Sequence, residues 1–439
     1  MSASEIYEEW DTYATRRKLI KREINLDTIT DSAKRNIVGI TGIRHSGKSS
    51  ILMQLRQRLA RRGEKAAYIN LEDTRLTSIH HPLDEAIKWF GDQGTLLLDE
   101  ITATPDYEGW LTRTHELLKD TLKLIVTSSQ GTLMKPSKPL RGRVLPVQVF
   151  PLSLREYLTF REITPEPTTA GKGTLENAFH EYLRLGGFPE VCLTPNETEK
   201  VTLLGTYLRD IMGLDVAEAS GIDLATVKAF TEYSLQTPTF SASKTLRHLK
   251  GLGYRIGKDR ILNLEHYTEA SNLIHYTHIY SYNIKDRNQY PRKAYPGDTG
   301  FVYALQGKTD VGRLIEIATL HELKRRTDDI TEINYWKGRT GAETDFVIRR
   351  GNTVMEAIQV SWDISDPKTY SRETRGLATC AKELKAKKAT ILTNAPRGSV
   401  KLNGVNIEIK PLIDWLMEPY FKKPRHTQKE NTTISNNYT

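Results

Sequence analysis

Residues 39–52, GITGIRHSGKSSIL, constrain the fold of this chain more than any other stretch. The run that leads into this stretch, residues 36–40, is short and β-branched, which is typical of a strand buried in a parallel sheet. From Ser50 onward, apolar residues recur at helical spacing. Between the two, Gly42, Gly47, Lys48 and Ser49 fit the pattern G-x-x-x-x-G-K-[ST]. The sequence therefore predicts a strand, a glycine-rich loop and a helix, in that order.

Such a loop is suited to phosphate groups. Its backbone N–H groups surround the phosphates, the lysine reaches the outer ones, and the hydroxyl holds Mg²⁺. The helix N-terminus adds the positive end of its dipole at the same point. We therefore expect ATP and Mg²⁺ to bind here, with Ser49 also on the metal. The expected nucleotide-binding residues are Gly42, Ile43, Arg44, His45, Ser46, Gly47, Lys48, Ser49 and Ser50.

Acidic residues follow two later apolar runs. AAYINLEDT, residues 66–74, contains Glu72 and Asp73, and GTLLLDEI, residues 94–101, closes on Asp99 and Glu100. Ligands bind at the carboxyl ends of parallel strands. An aspartate there reaches Mg²⁺ through its water shell, and a glutamate polarises the attacking water. Because this pair follows the loop by about fifty residues, we expect ATP hydrolysis with Asp99 as metal ligand and Glu100 as catalytic residue.

Two further groups are catalytic candidates. LKLIVTSSQ, residues 122–130, places Ser128 and Ser129 at a strand end, where either one senses the γ-phosphate or both are an ordinary polar terminus. In LRGRV, residues 140–144, an arginine placed across a subunit boundary would neutralise charge on the transferred phosphoryl group. Arg143 is the first choice for that role and Arg141 the second. The pattern thus predicts a homo-oligomer, with a hexamer as one candidate.

These segments resemble the AAA-family ATP-binding proteins of archaea and bacteria that carry a C-terminal domain of unknown function. The resemblance implies an α/β P-loop NTPase with a parallel sheet and a helical lid. YLRLGGFPEV, residues 182–191, is similar to the glycine-proline lid motif of signal-transducing ATPases, which implies that Gly187 and Pro189 close on the nucleotide; a plain loop between helices is the alternative. The matching segments are GIRHSGKSS, YINLED, LLLDEI, IVTSSQ, LRGR with FPLSLREYL, and YLRLGGFPEV.

Residues 223–300 have a winged-helix outline. A helix over 243–250, a glycine-rich turn, a second helix over 258–271, and strands over 273–282 and near Arg292 follow one another. Glu265 and Glu269 lie on the second helix, and winged helices also bind proteins, so DNA and protein partners both remain open. RKAYPGDTGFVYAL, residues 292–305, matches the same family as the ATPase segments. The candidate DNA contacts are Lys258, Arg260, Asn263 and His266 on the helix, with Lys285 and Arg287 in the wing.

The last folded part is similar to the restriction-endonuclease-like fold. Glu316 and Asp345 fit the first two acidic positions of that site, but Gln359 stands where glutamate is expected and Ser361 where lysine is expected. An amide and a hydroxyl bind metal more weakly and remove the cation that lowers the pKa of the attacking water. We expect a degenerate nuclease site, in a fold kept for binding or scaffolding.

Bulk properties bound the cellular setting. The chain has 439 residues, 38% of them apolar and 27% charged, with a formal charge of +9. It has no run of about 18 apolar residues that would span a membrane, its first residues are too polar for a secretory signal, and Cys192 and Cys380 are its only cysteines. We therefore expect a cytoplasmic protein with no membrane partner. The positive charge favours DNA, and the cluster of Arg16, Arg17, Lys18, Lys21 and Arg22 is either a nucleic-acid arm or the exposed face of a helix.

Three functions fit this organisation. The first is a Mg²⁺-dependent, oligomeric AAA ATPase that couples hydrolysis to action on DNA; the second is a nucleotide-controlled signalling switch with a protein partner; the third is an ATP-regulated nuclease. The expected parts are a basic N-terminal extension (1–35), the P-loop core (36–150), a helical lid (151–222), a winged-helix-like domain (223–300), a restriction-endonuclease-like α/β domain (301–420) and a disordered tail (421–439).

Overall fold

The computed structural model describes residues 2–129, 131–133, 138–281, 283, 290–307, 310–339 and 341–419. The described residues form three β-sheets, of five, six and three strands, with helices packed around them. Among these residues, no helix combines the length and the apolar character that crossing a bilayer requires. The expected tail over 421–439 and the expected wing residues Lys285 and Arg287 lie outside the described residues.

The first sheet is parallel and has the strand order β2-β3-β4-β1-β5. Its inner strands are buried along nearly their whole length, as expected for strands that are apolar on both faces. Parallel pairing brings the carboxyl ends of β1, β3 and β4 to one edge of the sheet. The strands are β1 (Ile37–Thr41), β2 (Ala66–Asn70), β3 (Gly94–Asp99), β4 (Leu122–Ser128) and β5 (Val144–Gln148), and the helices of this part are α1 (Ala3–Arg16), α2 (Leu26–Ser32), α3 (Lys48–Arg61), α4 (Pro82–Phe90) and α5 (Tyr107–Leu118).

The N-terminal residues belong to this unit. Ile6, Tyr7 and Ala14 of α1 are buried in the cores on the two sides of the sheet. Helix α1 ends at Arg16, so most of the basic cluster lies beyond it. Both interpretations of that cluster are wrong for Arg22, because its side chain is buried, with 6% relative exposure.

The helical segment after β5 is divided between two cores. Residues of α6 and α7 pack with the last sheet, whereas residues of α9 and the π-helical turn after it pack with the middle module. The segment 151–222, expected as one lid, therefore contacts both later parts of the chain. Its elements are α6 (Leu154–Phe160), α7 (Thr169–Leu185), α8 (Pro189–Leu193), α9 (Glu197–Asp210), a π-helix (Ile211–Ala217) and α10 (Glu218–Ser220).

The middle module has a small antiparallel sheet with the order β6-β8-β7. Along the chain it contains a helix, a short strand, two helices joined by a glycine-containing turn, and a strand pair. Its elements are α11 (Leu224–Gln236), β6 (Thr239–Phe240), α12 (Ala242–Gly251), α13 (Lys258–Ala270), β7 (Ile274–Thr277) and β8 (Arg292–Pro296).

The last sheet is mixed, in the order β13-β14-β12-β11-β10-β9. Strands β9, β10 and β11 pair antiparallel, and β11, β12 and β14 pair parallel. Helix α16 packs on one face, and α15, α6 and α7 share the core on the other. The elements are α14 (Gly300–Gln306), α15 (Val311–Arg326), β9 (Thr331–Lys337), β10 (Glu343–Arg350), β11 (Thr353–Val360), α16 (Pro367–Glu383), β12 (Ala389–Thr393), β13 (Gly398–Leu402), β14 (Val405–Pro411) and α17 (Leu412–Met417).

Candidate nucleotide site

The loop between β1 and α3 requires glycine at both ends of its motif. Gly47 caps α3 with a φ of 94°, in the left-handed region that favours glycine. A Cβ atom on Gly42 would lie 2.1 Å from the carbonyl oxygen of Val149, closer than any side chain tolerates. The two glycines therefore let the loop turn back over the N-terminus of α3, where free N–H groups face a ligand.

Lys48 lies inside this loop. Its Nζ donates to the carbonyl oxygens of Gly42, at 3.2 Å, and Ile43, at 3.4 Å, and to Oγ of Ser129, at 2.9 Å. It also lies 3.6 Å from Oε1 of Glu100. An ammonium that is only 4% exposed must be paired, and here two backbone oxygens and a carboxylate supply that pairing.

Asp99 ends β3 at the same edge of the sheet. Its carboxylate accepts hydrogen bonds from Tyr68 Oη, at 2.7 Å, and Thr127 Oγ1, at 2.5 Å. Burial raises the pKa of Asp99 above its ordinary value, and hydrogen bonds from Thr127, Ser49 and Tyr68 partly oppose this. A nearby dication would restore the charged form, so the position suits a Mg²⁺ ligand.

Glu100 and Ser129 are joined by two hydrogen bonds. Ser129 donates its Oγ to Oε1 of Glu100, at 2.6 Å, and its backbone N–H to Oε2, at 3.0 Å. Burial raises the pKa of Glu100, but the Lys48 ammonium and the bonds from Ser129 outweigh it, so the net pKa is lowered. Glu100 is thus held as a carboxylate, the form in which it can orient and polarise a water molecule.

These residues fit a nucleotide with its metal ion. Lys48, Glu100 and Ser129 border a cavity of about 800 Å³ that Arg44, His45, Gly47 and Ser49 also line, while Asp99 is buried behind it. Ser46 Oγ in the loop is buried with no hydrogen-bond partner among the described residues. The donors that face the cavity are the ammonium, the loop backbone and hydroxyls, which match phosphate oxygens, while Ser49 and Asp99 supply oxygen ligands for Mg²⁺.

The glycine-proline segment lies against this cavity. Pro189 lines it, and its Cγ is 3.6 Å from the position a Cβ on Gly47 would take. Gly187 lies further back, where its N–H donates to Oδ2 of Asp298, at 2.8 Å, and its carbonyl accepts from Leu152 N, at 2.6 Å. Pro189 thus lies beside the glycine-rich loop, whereas Gly187 belongs to the turn behind it and does not line the cavity.

Residues 17–20 also contribute to this cavity, which was not expected from the sequence. Arg17, Lys18, Leu19 and Ile20 line it. Arg22, two residues after Ile20, donates to the loop carbonyl of Ser46, at 2.7 Å, and pairs with Glu156 of α6, also at 2.7 Å. The local signal was a pair of apolar residues, Leu19 and Ile20, inside a basic run, which is unusual for a solvated arm.

The other predicted catalytic residues lie outside the cavity. Ser128 Oγ contacts Thr102 Oγ1, at 3.4 Å, so of the two serines it is Ser129 that faces Lys48 and Glu100. Arg143 is bonded to Glu116 Oε1, at 2.7 Å, and to the carbonyl of Pro139, at 2.9 Å. Arg141 is exposed on the surface. Neither arginine lines the cavity of its own chain.

A second charged cluster forms where β8 meets the last sheet. Lys293 Nζ lies 2.8 Å from Glu316 Oε1, 2.9 Å from Glu343 Oε1 and 2.8 Å from Asp345 Oδ1. Gln359 Oε1 accepts from the backbone N–H of Asp345, at 3.3 Å. The structure thus brings together the residues expected for a degenerate nuclease site, but a lysine from the middle module lies among the carboxylates.

The predicted DNA contacts of the middle module are exposed. Lys258, Arg260, Asn263 and His266 lie on the solvent side of α13. Glu265 is instead nearly buried and pairs with Arg292 of β8. Helix α12 and the following turn add the exposed cations Lys244, Arg247, Lys250 and Arg255, which were not among the DNA contacts expected from the sequence.

Comparisons with known proteins agree with the site geometry. A family model described as an AAA domain matches residues 34–158, and a model for a domain of unknown function, DUF8612, matches residues 176–311. The matched region 34–158 contains the loop, Asp99, Glu100 and Ser129. The parallel sheet and the glycine-rich loop of this region agree with the family model, so the region is similar to AAA-type P-loop domains.

Relatives along the whole chain are also found. An uncharacterized protein of Methanocaldococcus jannaschii is 27% identical over 419 residues, 92% of each chain. An uncharacterized protein of Haemophilus influenzae is 23% identical over 427 residues, 92% of this chain and 100% of that one. The similarity therefore extends over nearly the whole of each chain.

Solved structures give a weaker likeness. AMPPCP-bound DnaA from Aquifex aeolicus has 15% identity and a TM-score of 0.30, covering 60% of this chain and 98% of that chain. PCH-2 from C. elegans has 13% identity and a TM-score of 0.26, covering 61% of this chain and 66% of that chain. At such TM-scores the likeness carries no argument about function.

Proposed function

We propose that the protein is a Mg²⁺-dependent AAA ATPase that works as a homo-oligomer and couples hydrolysis to action on DNA. The observation that supports it most is the convergence of Lys48, Ser129 and Glu100 on one cavity at the edge of a parallel sheet. A cation for the phosphates and a carboxylate for the water are the two charges that phosphoryl transfer requires.

Each residue has a distinct part in this proposal. The loop backbone and Lys48 bind the phosphates and place the γ-phosphate toward Glu100. Ser49 and Asp99 hold the metal ion, which when bound neutralises charge on the phosphate oxygens. Glu100 orients the attacking water by accepting a hydrogen bond from it. Ser129 donates to Glu100 and accepts from Lys48, so it fixes the distance between the two charges.

Two substitutions test the ATPase. Lys48→Ala should abolish ATP binding and turnover, because the ammonium is the point charge on the β- and γ-phosphates. Glu100→Gln should keep nucleotide binding but stop turnover, since an amide polarises water poorly. Phosphate release and nucleotide affinity are measured on both, with Glu64→Gln, a carboxylate outside the cavity, as control. Normal hydrolysis by Glu100→Gln would remove Glu100 from its role.

The proposal that DNA is the partner rests on the surface of α12 and α13. We propose that residues 223–300 act as a winged helix whose exposed cations meet the phosphate backbone. The exposed cations of α12, its turn and α13 are Lys244, Arg247, Lys250, Arg255, Lys258 and Arg260. All six side chains are exposed, so their charge is accessible to an anionic partner.

Salt dependence tests this surface. Phosphate contacts release counterions, so log affinity should fall linearly with log salt, with a slope of about −0.9 per phosphate neutralised. Replacing Lys258 and Arg260 by alanine should flatten the slope, whereas the matched pair Lys172→Ala and Lys382→Ala, on exposed faces of α7 and α16, should not. Asp345→Ala should leave the slope nearly unchanged. The measurement is a duplex-DNA titration at several salt concentrations.

The alternatives predict other results. A signalling switch is favoured by the contact of the glycine-proline segment with Asp298, which joins the nucleotide cavity to the module after it. If no salt-dependent DNA binding is found, this function takes first place. A nuclease requires cutting with Mg²⁺ or Mn²⁺ that disappears in Asp345→Ala. We expect intact DNA instead, because Lys293 holds the carboxylates and Gln359 and Ser361 replace the expected glutamate and lysine.

A further inference from the structure

The loop residue Arg44 contacts two acids from different parts of the chain. Its Nε and Nη2 donate to Oδ2 and Oδ1 of Asp215, both at 3.1 Å. Its Nη1 donates to Oε1 of Glu72, at a longer 3.4 Å. The Asp215 side chain is fully buried, while that of Glu72 is 47% exposed. The guanidinium is therefore fixed on one side by a buried fork and weakly held on the other.

The weakly held side is the one next to the nucleotide cavity, because Glu72 lines that cavity and Asp215 does not. Arg44 and Glu72 both line it, together with Lys48 and Glu100. An arginine has five N–H donors in a rigid plane, so two can remain on a carboxylate while a third binds elsewhere. The Nη1 group is therefore the donor that can bind a phosphate oxygen. A phosphate oxygen at normal hydrogen-bond distance would replace the Glu72 carboxylate, which lies 3.4 Å away.

The neighbouring loop residue contacts the same part of the chain. The ring of His45 stacks on Tyr207 of α9, with centroids 3.8 Å apart and planes 9° from parallel, and its Nε2 lies 3.6 Å from Asp210. Asp215 itself lies in the π-helix that continues α9. Short π-helical turns are uncommon and occur often at functional positions. The adjacent loop side chains of Arg44 and His45 thus contact the π-helix and α9, respectively.

We propose that Arg44 is a further cation of the nucleotide site, which donates Nη1 to the γ-phosphate of ATP while Asp215 holds the guanidinium in place. Arg44 then senses the γ-phosphate from within its own chain, and Asp215 is its positioning residue. The connection reports the presence of the third phosphate to α9 and the π-helix, which pack with the module that carries the basic surface. This inference rests on the proposed ATPase function.

The test compares the affinities for ADP and for the non-hydrolysable analogue AMPPCP, each with Mg²⁺. Arg44→Ala should lower the affinity for AMPPCP by about 10- to 100-fold, the loss expected for hydrogen bonds to a charged group. The affinity for ADP should change by less than about 3-fold. Arg44→Lys should behave similarly, because an ammonium cannot hold Asp215 by a fork and reach the phosphate together. Asp215→Asn should give an intermediate loss, with circular dichroism checking the fold of every variant.

Arg56→Ala is the matched control, since Arg56 makes a comparable fork to Asp11, at 2.6 and 2.7 Å, away from the cavity. It should leave the AMPPCP-to-ADP ratio unchanged. If folded Arg44→Ala and Arg44→Lys keep the wild-type ratio, or weaken both nucleotides equally, the inference is overturned while the ATPase proposal stands. If the wild-type protein binds neither nucleotide, the proposed function itself fails.

Hydrogen exchange tests the connection. In the wild type, AMPPCP should change the exchange of residues 211–217 relative to ADP, because the γ-phosphate alters the partner of Arg44. In Arg44→Lys that difference should vanish at saturating nucleotide. Equal differences in both proteins would show that the π-helix responds through another contact and would overturn this part of the inference.

Discussion

Ser129 is the residue that connects the two charged groups of the site. Its hydroxyl accepts from Lys48, at 2.9 Å, and donates to Glu100, at 2.6 Å, whereas the ammonium and carboxylate themselves lie 3.6 Å apart. A hydroxyl can do both at once because it has one donor and two acceptor positions. The neighbouring Ser128 faces Thr102 instead, since successive residues of a strand point to opposite faces.

Ser129→Ala should therefore lower the rate of ATP hydrolysis more than the affinity for ATP. We expect a fall of about 10-fold or more in kcat, the loss of one hydrogen bond to a charged group, with KM changed less. Steady-state kinetics of Ser129→Ala and Ser128→Ala measure this, with Ser128→Ala as the neighbouring control. Equal effects of the two substitutions would mean that Ser129 acts only through the stability of the strand end.

At the scale of elements, the segment from β8 to α14 connects three parts of the molecule. Lys293 at its start lies among the carboxylates of the last sheet, and Asp298 near its end binds the glycine-proline turn. Asp298 also accepts from the N–H of Gly300, at 2.8 Å. Gly186 is confined by the same carboxylate, because a Cβ there would lie 1.6 Å from Asp298 Oδ1.

The raised pKa of the Asp298 carboxyl should be visible in how the free energy of unfolding depends on pH. Burial raises its pKa from the ordinary 3.8 to about 7, although the Gly187 and Gly300 N–H groups oppose the shift. Between these values the folded protein binds more protons than the unfolded chain, so this group lowers the free energy of unfolding as pH rises through that window. The excess stability of the wild type over Asp298→Asn should fall from pH 3.8 to about 7 and then level off.

Denaturant unfolding at a series of pH values measures that difference. Asp366→Asn is the control, because the hydrogen bond from Thr369 lowers the pKa of Asp366, so its contribution is lost as pH falls. The two differences should therefore slope in opposite directions. A flat profile for Asp298→Asn would show that the carboxyl stays ionised in its burial site.

At the scale of the whole molecule, the arginines that could act between subunits lie away from their own cavity. The side chain of Arg143 is 35% exposed and pairs with that of Glu116, which is 48% exposed. An ion pair this exposed contributes little free energy, so it holds Arg143 only weakly. In the proposed oligomer, the cavity of a neighbouring subunit would therefore compete for this guanidinium at little energetic cost. This is the arrangement expected of an arginine that works in trans.

Mixing inactive variants tests the shared site. Specific ATPase activity should rise with protein concentration if assembly completes the site. Lys48→Ala and Arg143→Ala should each be inactive alone, and their mixture should regain part of the turnover, because each supplies what the other lacks. Arg141→Ala mixed with Lys48→Ala tests the second candidate. No recovery at any ratio, with assembly seen by sedimentation, would place the catalytic arginine elsewhere.

Several features followed from the sequence because the chemistry is local. The loop, its Lys48 and the Asp99–Glu100 pair are read from short contiguous stretches, and parallel strand pairing brings their ends together in any sheet of this kind. The family model over residues 34–158 agrees with this part of the prediction. The later modules and their DNA contacts remain predictions.

The tertiary structure alone decided the contacts that join the parts. Arg44 meets Asp215 across 171 residues, and Gly187 meets Asp298 across 111, separations at which no local pattern predicts a partner. Lys293 enters the carboxylate cluster from another module, and Arg22 leaves the basic run for a buried ion pair with Glu156. A buried charge must find a partner of opposite charge, but which partner is near depends on how separate elements pack. The sequence by itself therefore predicted the phosphate-binding loop and its acidic pair, because both are local, while packing decided which residues from other parts of the chain contact them.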